Sequence, residues 1–212
     1  MYVIGLTGGI ACGKSTVAKR LREKYQAPLL DTDRIAWDMS APGEPLWQSY
    51  VDRYGREKAL LPDGQLDRAA IGKIVFSQPE ERIWVDRMSH PLIKEEVRRR
   101  LERCREAGQR VAVVDVPLLF EAGWEPLADE IWVVYVDEAT QLARLIERNQ
   151  LPEALARQRI ASQMPLAEKK RRAGVVIDNT GGLEATLAQV DAAWNSLEAR
   201  QKRRGGNRVA QT

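Results

Sequence analysis

Short apolar runs alternate along the chain with longer segments of helical period. YVIGL (2–6) is apolar and ends in glycines, which predicts a buried strand. From Lys14 the period changes. Val17, Leu21 and Tyr25 recur every four residues while Arg20, Arg22 and Lys24 fall elsewhere, which predicts a helix. Four more strands are predicted over 27–33 (APLLDTD), 110–120 (RVAVVDVPLLF, stopped by Pro117), 130–137 (EIWVVYVD) and 174–179 (GVVIDN). Leu142, Leu145 and Ile146 mark a helix after the fourth strand; Leu183, Leu187, Val190 and Trp194 mark the last helix. Buried strands alternating with helices predict an α/β fold: a five-stranded parallel sheet flanked by helices and joined by right-handed crossovers.

One connection is too long for a crossover. Residues 39–109 are expected to form an inserted helical lobe. Within it, 91–108 places Leu92, Ile93, Val97, Leu101 and Cys104 on one face, with Gly108 as a stop. Pro91 suits a first helical position, so His90 or Ser89 is expected to cap that helix, with contact to a substrate as the other role open to His90. A second insertion, 148–172, is charged and weakly apolar, as suits a mobile lid. The expected organisation is a single domain over 1–199, with core 1–38, 110–147 and 173–199.

Composition narrows the class. With 44% hydrophobic and 30% charged residues in 212, the chain has the balance of a globular protein that buries one core. From residue 200 onward Arg200, Lys202, Arg203, Arg204 and Arg208 face no acidic residue. Subtracting their +5 from the formal +3 leaves −2 for residues 1–199. The basic character therefore belongs to a tail (200–212) expected to be disordered, not to a nucleic-acid-binding face. Cys12 and Cys104 form no C-x-x-C pair, which fits a reducing, cytoplasmic setting. No apolar run reaches membrane-spanning length.

The chemistry is concentrated in GLTGGIACGKSTVA (5–18). Gly8, Gly13, Lys14 and Ser15 are spaced as G-x-x-x-x-G-K-S between a predicted strand and a predicted helix. Glycines let the backbone wrap phosphate oxygens, and the N–H groups from Gly9 to Ser15 line the cradle at the positive end of the helix. Lys14 then reaches the β and γ phosphates, and the Ser15 hydroxyl ligates Mg²⁺. Asp31 and Asp33 close the second strand, where parallel sheets place their ligands. One of them is expected to serve as a base toward an acceptor hydroxyl, Asp33 ahead of Asp31; the competing role is a turn or helix cap. Asp115 ends the third strand and either holds Mg²⁺ or bonds nearby backbone. Arg148 and Arg144, with Arg157 and Arg159 further along, are candidates to close on the phosphates; a solvated charged helix is the alternative. Cys12 reads as a small loop residue rather than a reactive thiol.

No Asn is followed by Lys, as guanine recognition by N-K-x-D requires, and no L-S-G-G-Q is present, so a small-molecule kinase remains. At this point the chain resembles the dephospho-coenzyme A kinase family. The matching words, in family order, are GLTGGIACGKSTVA, LLDTDRIAW, DGQLDRAAIGKIVF, HPLIKEEV, VVDVPLLFEAGW, QLARLIERN, RIASQM and VVIDNTG, which lie between residues 5 and 181 of a resemblance that covers residue 3 to about 195. The resemblance implies a phosphate-loop kinase fold with a substrate-binding helical insertion and a lid. It implies transfer from ATP, with Mg²⁺, to the ribose 3′-hydroxyl of dephospho-coenzyme A, the last step of coenzyme A synthesis. It makes Asp33 the base, Lys14 the phosphate lysine and Arg148 a lid arginine. It gives Gly8, Gly9 and Ala11 through Thr16 (Cys12, Gly13, Lys14 and Ser15 among them) to ATP. Asp33, Asp67, Arg68 and His90 go to the acceptor, and Ser15 and Asp115 to the metal. The implied partners are small molecules, not nucleic acid or membrane, and the expected state is a monomer or weak homo-oligomer.

The chain departs from the family pattern at Cys12 (commonly Ser), Thr32 (commonly Ala), Asn149 (commonly Asp) and Gly174 (often Asp). None of these removes a group the mechanism needs. Two other readings are open: a shikimate- or gluconate-type kinase, which lacks so long a lobe, and a nucleotide sensor that transfers nothing.

Overall fold

The strands lie in the order β2-β3-β1-β4-β5 within one sheet in the computed structural model, which describes residues 1–209. In chain order the elements begin β1 (Tyr2–Gly8), α1 (Lys14–Tyr25), β2 (Leu29–Asp31), α2 (Thr32–Asp38), α3 (Pro45–Tyr54), α4 (Arg56–Ala59), α5 (Arg68–Ser77) and α6 (Pro79–Glu106). They continue with β3 (Val111–Asp115), β4 (Glu130–Tyr135), α7 (Glu138–Asn149), α8 (Glu153–Ala161), α9 (Leu166–Arg171), β5 (Val175–Asp178) and α10 (Leu183–Val209).

The chain divides into two compact units: Met1–Leu29 with the chain from Arg110 onward, and Leu30–Gln109. In the first, β1 pairs in parallel with β3 on one side and β4 on the other, and β4 pairs in parallel with β5. The register sets Leu6 beside Asp115 and Gly8 beside Val134. The chain order reverses on either side of β1, so the loop after Gly8 leaves the sheet at its switch point, where α/β folds bind ligands. Ile4, Leu6, Val113, Trp132 and Ile177 are buried on these strands, and Val17, Leu21, Leu145, Val190 and Leu197 on the helices.

Helix α1 packs on β1, β3 and α10. Tyr25, expected on the apolar face, stacks on Trp194 at 4.5 Å between ring centroids. Its hydroxyl donates to Asp191 Oδ1 at 2.7 Å. Asp191 also accepts two bonds from Arg20, at 3.0 and 2.7 Å, and one from Lys24 at 2.7 Å. Led by the Arg20 bonds, these donors hold the Asp191 carboxyl well below the usual carboxylate range. We predict that Asp191→Ala lowers Tm by about 5 °C at neutral pH. The sign of the pH dependence follows from the depressed pKa: the difference is fully present above the unfolded-state value of about 3.9. It shrinks as pH falls through the folded-state value, which Tm measured against pH in both proteins would show.

In the second unit, α2, α3 and α5 pack on α6, and Trp47, Ala59, Leu66 and Ile71 form a small core. Glu81 is buried beneath Arg53 and Tyr54, with Arg53 Nη2 at 2.5 Å and the Tyr54 hydroxyl at 2.8 Å.

Several boundaries differ from expectation, each for a visible reason. The second strand stops at Asp31 because its carboxylate accepts from the N–H groups of Asp33 (2.9 Å) and Arg34 (3.1 Å) and starts α2. The third stops at Asp115: Pro117 brings no N–H, and the chain then coils so that Ala122 N bonds Leu118 O at 3.0 Å and Trp124 N bonds Leu119 O at 2.9 Å. The helix expected from Pro91 begins at Pro79, with Glu80 and Glu81 in its first turn, and runs through Pro91. Neither His90 nor Ser89 is therefore a cap. The tail expected to be disordered from residue 200 continues α10 as far as Val209; residues 210–212 lie outside the described residues. The packed turns at Trp194 and Leu197 supply the nucleus, so added turns cost little, and Arg200 is tied to Glu130 at 2.9 Å. Among the described residues, no helix is long and apolar enough to cross a membrane.

Candidate active site

The phosphate loop occupies residues 8–16 of the first unit. Gly13 is the N-cap of α1 at φ +86° and offers no side chain to the helix start. The first N–H groups of α1, including those of Lys14 and Ser15, have no partners within the helix and form a positive anion cradle. Ala11 adopts φ +60°, a strained value for a residue with a Cβ.

Glycine is required here by space as well as conformation. A Cβ at Gly8 would strike Cys12 Sγ and lie 2.8 Å from Val134 O; one at Gly13 would strike the Asn179 amide. Cys12 is 1% exposed, and its burial pushes the thiol pKa up, as suits a small packed residue and not a reactive one.

Three carboxamides hold the loop. Asn179 Nδ2 donates to Cys12 O at 2.9 Å, and Asn179 Oδ1 accepts from the Thr186 hydroxyl at 2.7 Å. Gln141 Nε2 donates to Ile10 O at 2.9 Å, while Gln163 Oε1 accepts from Ile10 N at 2.9 Å. These bonds offset the strain at Ala11 and fix the loop before any ligand arrives.

Lys14 Nζ is hydrogen-bonded to Asp115 Oδ1. Asp115 is 5% exposed at the end of β3, and its register beside Leu6 places it against the loop. Ser15 is exposed on the first turn of α1, and Thr16 follows half-buried. Arg148 is exposed near the end of α7 and donates from Nε to Asn149 Oδ1 at 2.9 Å; Arg144 lies half-buried one turn earlier. Arg157 pairs with Glu153 at 2.7 Å.

The second unit carries the other candidates. Asp31 is committed to capping α2, whereas Asp33 is exposed in that helix's first turn. Asp67 caps α5, accepting from Ala70 N at 2.9 Å. The Arg68 guanidinium lies 3.9 Å from the centroid of the Trp37 ring. Both line a cavity of about 480 Å³ with Ser40, Asp63 and Gln65. His90 sits inside α6 with Nε2 3.8 Å from Asp86.

Comparison with known proteins decides which family this arrangement serves. The dephospho-CoA kinase (CoaE) family model matches residues 2–185. A dephospho-CoA kinase of Symbiobacterium thermophilum is 48% identical over 92% of this chain and 81% of its own length. That of Thermosynechococcus vestitus is 46% identical over 92% and 94%. The chain belongs to the dephospho-CoA kinase family. Among solved structures, TT1252 of Thermus thermophilus superimposes with TM-score 0.75 at 31% identity, covering 94% of this chain and 97% of that one. The dephospho-CoA kinase of Campylobacter jejuni shares the fold at TM-score 0.72 and 23% identity, covering 94% and 98%.

Family membership makes the chain a kinase with a phosphate-loop nucleotide-binding fold. Sequence reasoning missed the residues that brace this loop in the family fold: Gln141, Gln163, Asn179 and Lys169. Three of them lie in the words QLARLIERN, RIASQM and VVIDNTG, but a carboxamide carries no charge or period to mark it.

Proposed function

We propose that the chain transfers the γ-phosphoryl group of ATP to the ribose 3′-hydroxyl of dephospho-coenzyme A, giving coenzyme A and ADP. The observation that carries this reading is the braced loop with Lys14 against Asp115, in a chain of this family. The loop N–H groups and Lys14 bind the β and γ phosphates. Asp33 orients the 3′-hydroxyl and takes its proton as the new O–P bond forms and the bond to the ADP oxygen breaks. Arg148, at the start of the 148–172 lid, and Arg144, one turn earlier on α7, close on the transferring group and stabilise its charge.

The helical unit holds the acceptor. Arg68 beside its cavity offers a cation to the diphosphate, and Asp67 and His90 add polar contacts. The hard oxygen donors of Ser15 and Asp115 suit Mg²⁺, and no group of three or more His, Cys, Asp or Glu gathers among the described residues. Ser15 and Asp115 would hold Mg²⁺, which when bound would supply positive charge to the transferring phosphoryl group. The two free thiols suit a reducing, cytoplasmic setting.

The test is a panel of acceptors supplied with ATP and Mg²⁺. Dephospho-coenzyme A is expected to be the preferred acceptor by kcat/KM. Turnover of shikimate, gluconate or nucleosides without turnover of dephospho-coenzyme A would defeat the assignment, and ATP binding without any transfer would favour a nucleotide sensor.

A further inference from the structure

A lysine in the interior of the first unit has no part in the mechanism above. Lys169 is 0% exposed although it lies in the charged run AEKKRR (167–172). Its three N–H groups have three acceptors: Gly8 O at 3.2 Å, Pro117 O at 3.3 Å and Glu121 Oε1 at 2.8 Å. Burial alone would raise the Glu121 carboxyl, but the bond from Lys169 and backbone donors, Met164 N–H among them, bring it below the ordinary glutamate value. Lys169 thus meets an acidic partner and two backbone carbonyls in the interior.

Packing α9 onto the core does not require this charge. Leu166 already packs there at 8% exposure, and an apolar residue at 169 would avoid the desolvation of an ammonium. What an apolar residue cannot do is hold two carbonyls. Gly8 ends β1 and opens the phosphate loop; Pro117 follows the end of β3, where Asp115 stands. The ammonium thus staples the end of β1, where the loop leading to Lys14 begins, to the segment just after β3, the strand that ends in Asp115. The 8–9 peptide is planar and trans, so fixing Gly8 O toward Lys169 turns the Gly9 N–H to the opposite side.

We propose that Lys169 is a positioning residue for phosphoryl transfer, holding the Gly8 carbonyl so that the phosphate loop is set for ATP. The segment 163–172 is then a fixed strut of the nucleotide site. It is pinned through Gln163 to Ile10 and through Arg172 to Glu125 at 2.6 Å, which confines lid movement to residues before it.

This inference rests on the reading of the loop as the ATP site. Its test uses the full chain and the variants Lys169→Met and Glu121→Gln. Four quantities are read: Tm, the rise in Tm caused by ATP, KM for each substrate, and kcat. For Lys169→Met we expect kcat/KM for ATP to fall on the order of 10²-fold, since displacing reacting groups by about 1 Å costs that much. The ATP-induced rise should shrink, and KM for dephospho-coenzyme A should stay near the wild-type value. Glu121→Gln keeps an acceptor but loses the charge, and should lose about three- to tenfold in kcat/KM for ATP.

A lowered Tm with wild-type kcat/KM and ATP-induced rise would overturn the proposal, as would equal weakening of both substrates. If Lys169→Met does not fold, Glu121→Gln decides, and wild-type behaviour toward ATP would overturn it. A wild-type protein that responds to ATP but transfers nothing would instead defeat the kinase reading, and the ATP-induced rise would still judge Lys169.

Discussion

Lys14→Ala should reduce phosphoryl transfer on the order of 10³-fold or more, the scale on which a single cation contributes to this chemistry. The γ phosphate loses its fixed positive partner while the loop backbone remains. The substitution also takes the Lys14 ammonium away from Asp115, a carboxylate that is only 5% exposed. We therefore expect a second effect, a lower Tm, that is separable from the first. The double variant Lys14→Ala/Asp115→Asn should recover most of the Tm and none of the activity. Near-normal turnover in Lys14→Ala would mean that the loop does not hold the transferred phosphate. A double variant that recovers activity would mean that Lys14 matters only for folding.

Asp33→Asn should lower kcat by roughly 10²-fold or more and change the KM of the acceptor little. Asparagine keeps the shape and a hydrogen-bond acceptor but cannot take a proton. Folding should survive, because the start of α2 is secured by Asp31, whose carboxylate accepts from Asp33 N and Arg34 N. Asp31→Asn should cost far less activity, since asparagine caps a helix as well as aspartate does. Asp31→Ala should cost about 1 kcal/mol of stability. Steady-state kinetics and thermal melts on the three variants separate base from cap. A reversed ranking would move the base to Asp31, and two mild effects would leave no base at this strand end.

The alternation of strands and helices and the phosphate loop were legible because both are written in local pattern: apolar runs of strand length, glycines at fixed spacing, and a four-residue period after Lys14. The sequence put Asp33 ahead of Asp31 as the base but did not show what the other carboxylate does. It offers no way to tell that Asp31 is the residue that caps α2, accepting from the N–H groups of Asp33 and Arg34. Pro91 was read as a helix start because proline usually punctuates. The stronger start signal stood earlier, at Pro79 with two glutamates behind it, and a helix already packed on both sides of Pro91 tolerates one missing N–H.

Lys169 was illegible for a different reason. In AEKKRR it is indistinguishable from Lys170, yet Lys170 lies over the Tyr135 ring at 3.9 Å and Lys169 is fully buried. The one local hint is Leu166, three residues earlier on the same helical face. The continuation of α10 to Val209 was not legible because composition reports what a segment could do alone, not what a packed helix before it makes easy. The carboxamides around Ile10 and Cys12 needed the fold itself, since their partners lie from 131 to 167 residues away.

The central claim is transfer of phosphate from ATP to one specified oxygen, and the regiochemistry of the product tests it most directly. The protein is incubated with ATP, Mg²⁺ and dephospho-coenzyme A, and the product is examined by ³¹P NMR. The account predicts a new phosphomonoester on the ribose 3′ carbon, formed in step with ADP and absent with Lys14→Ala. ADP formed without a new phosphomonoester, or a phosphate on any other oxygen, would contradict it.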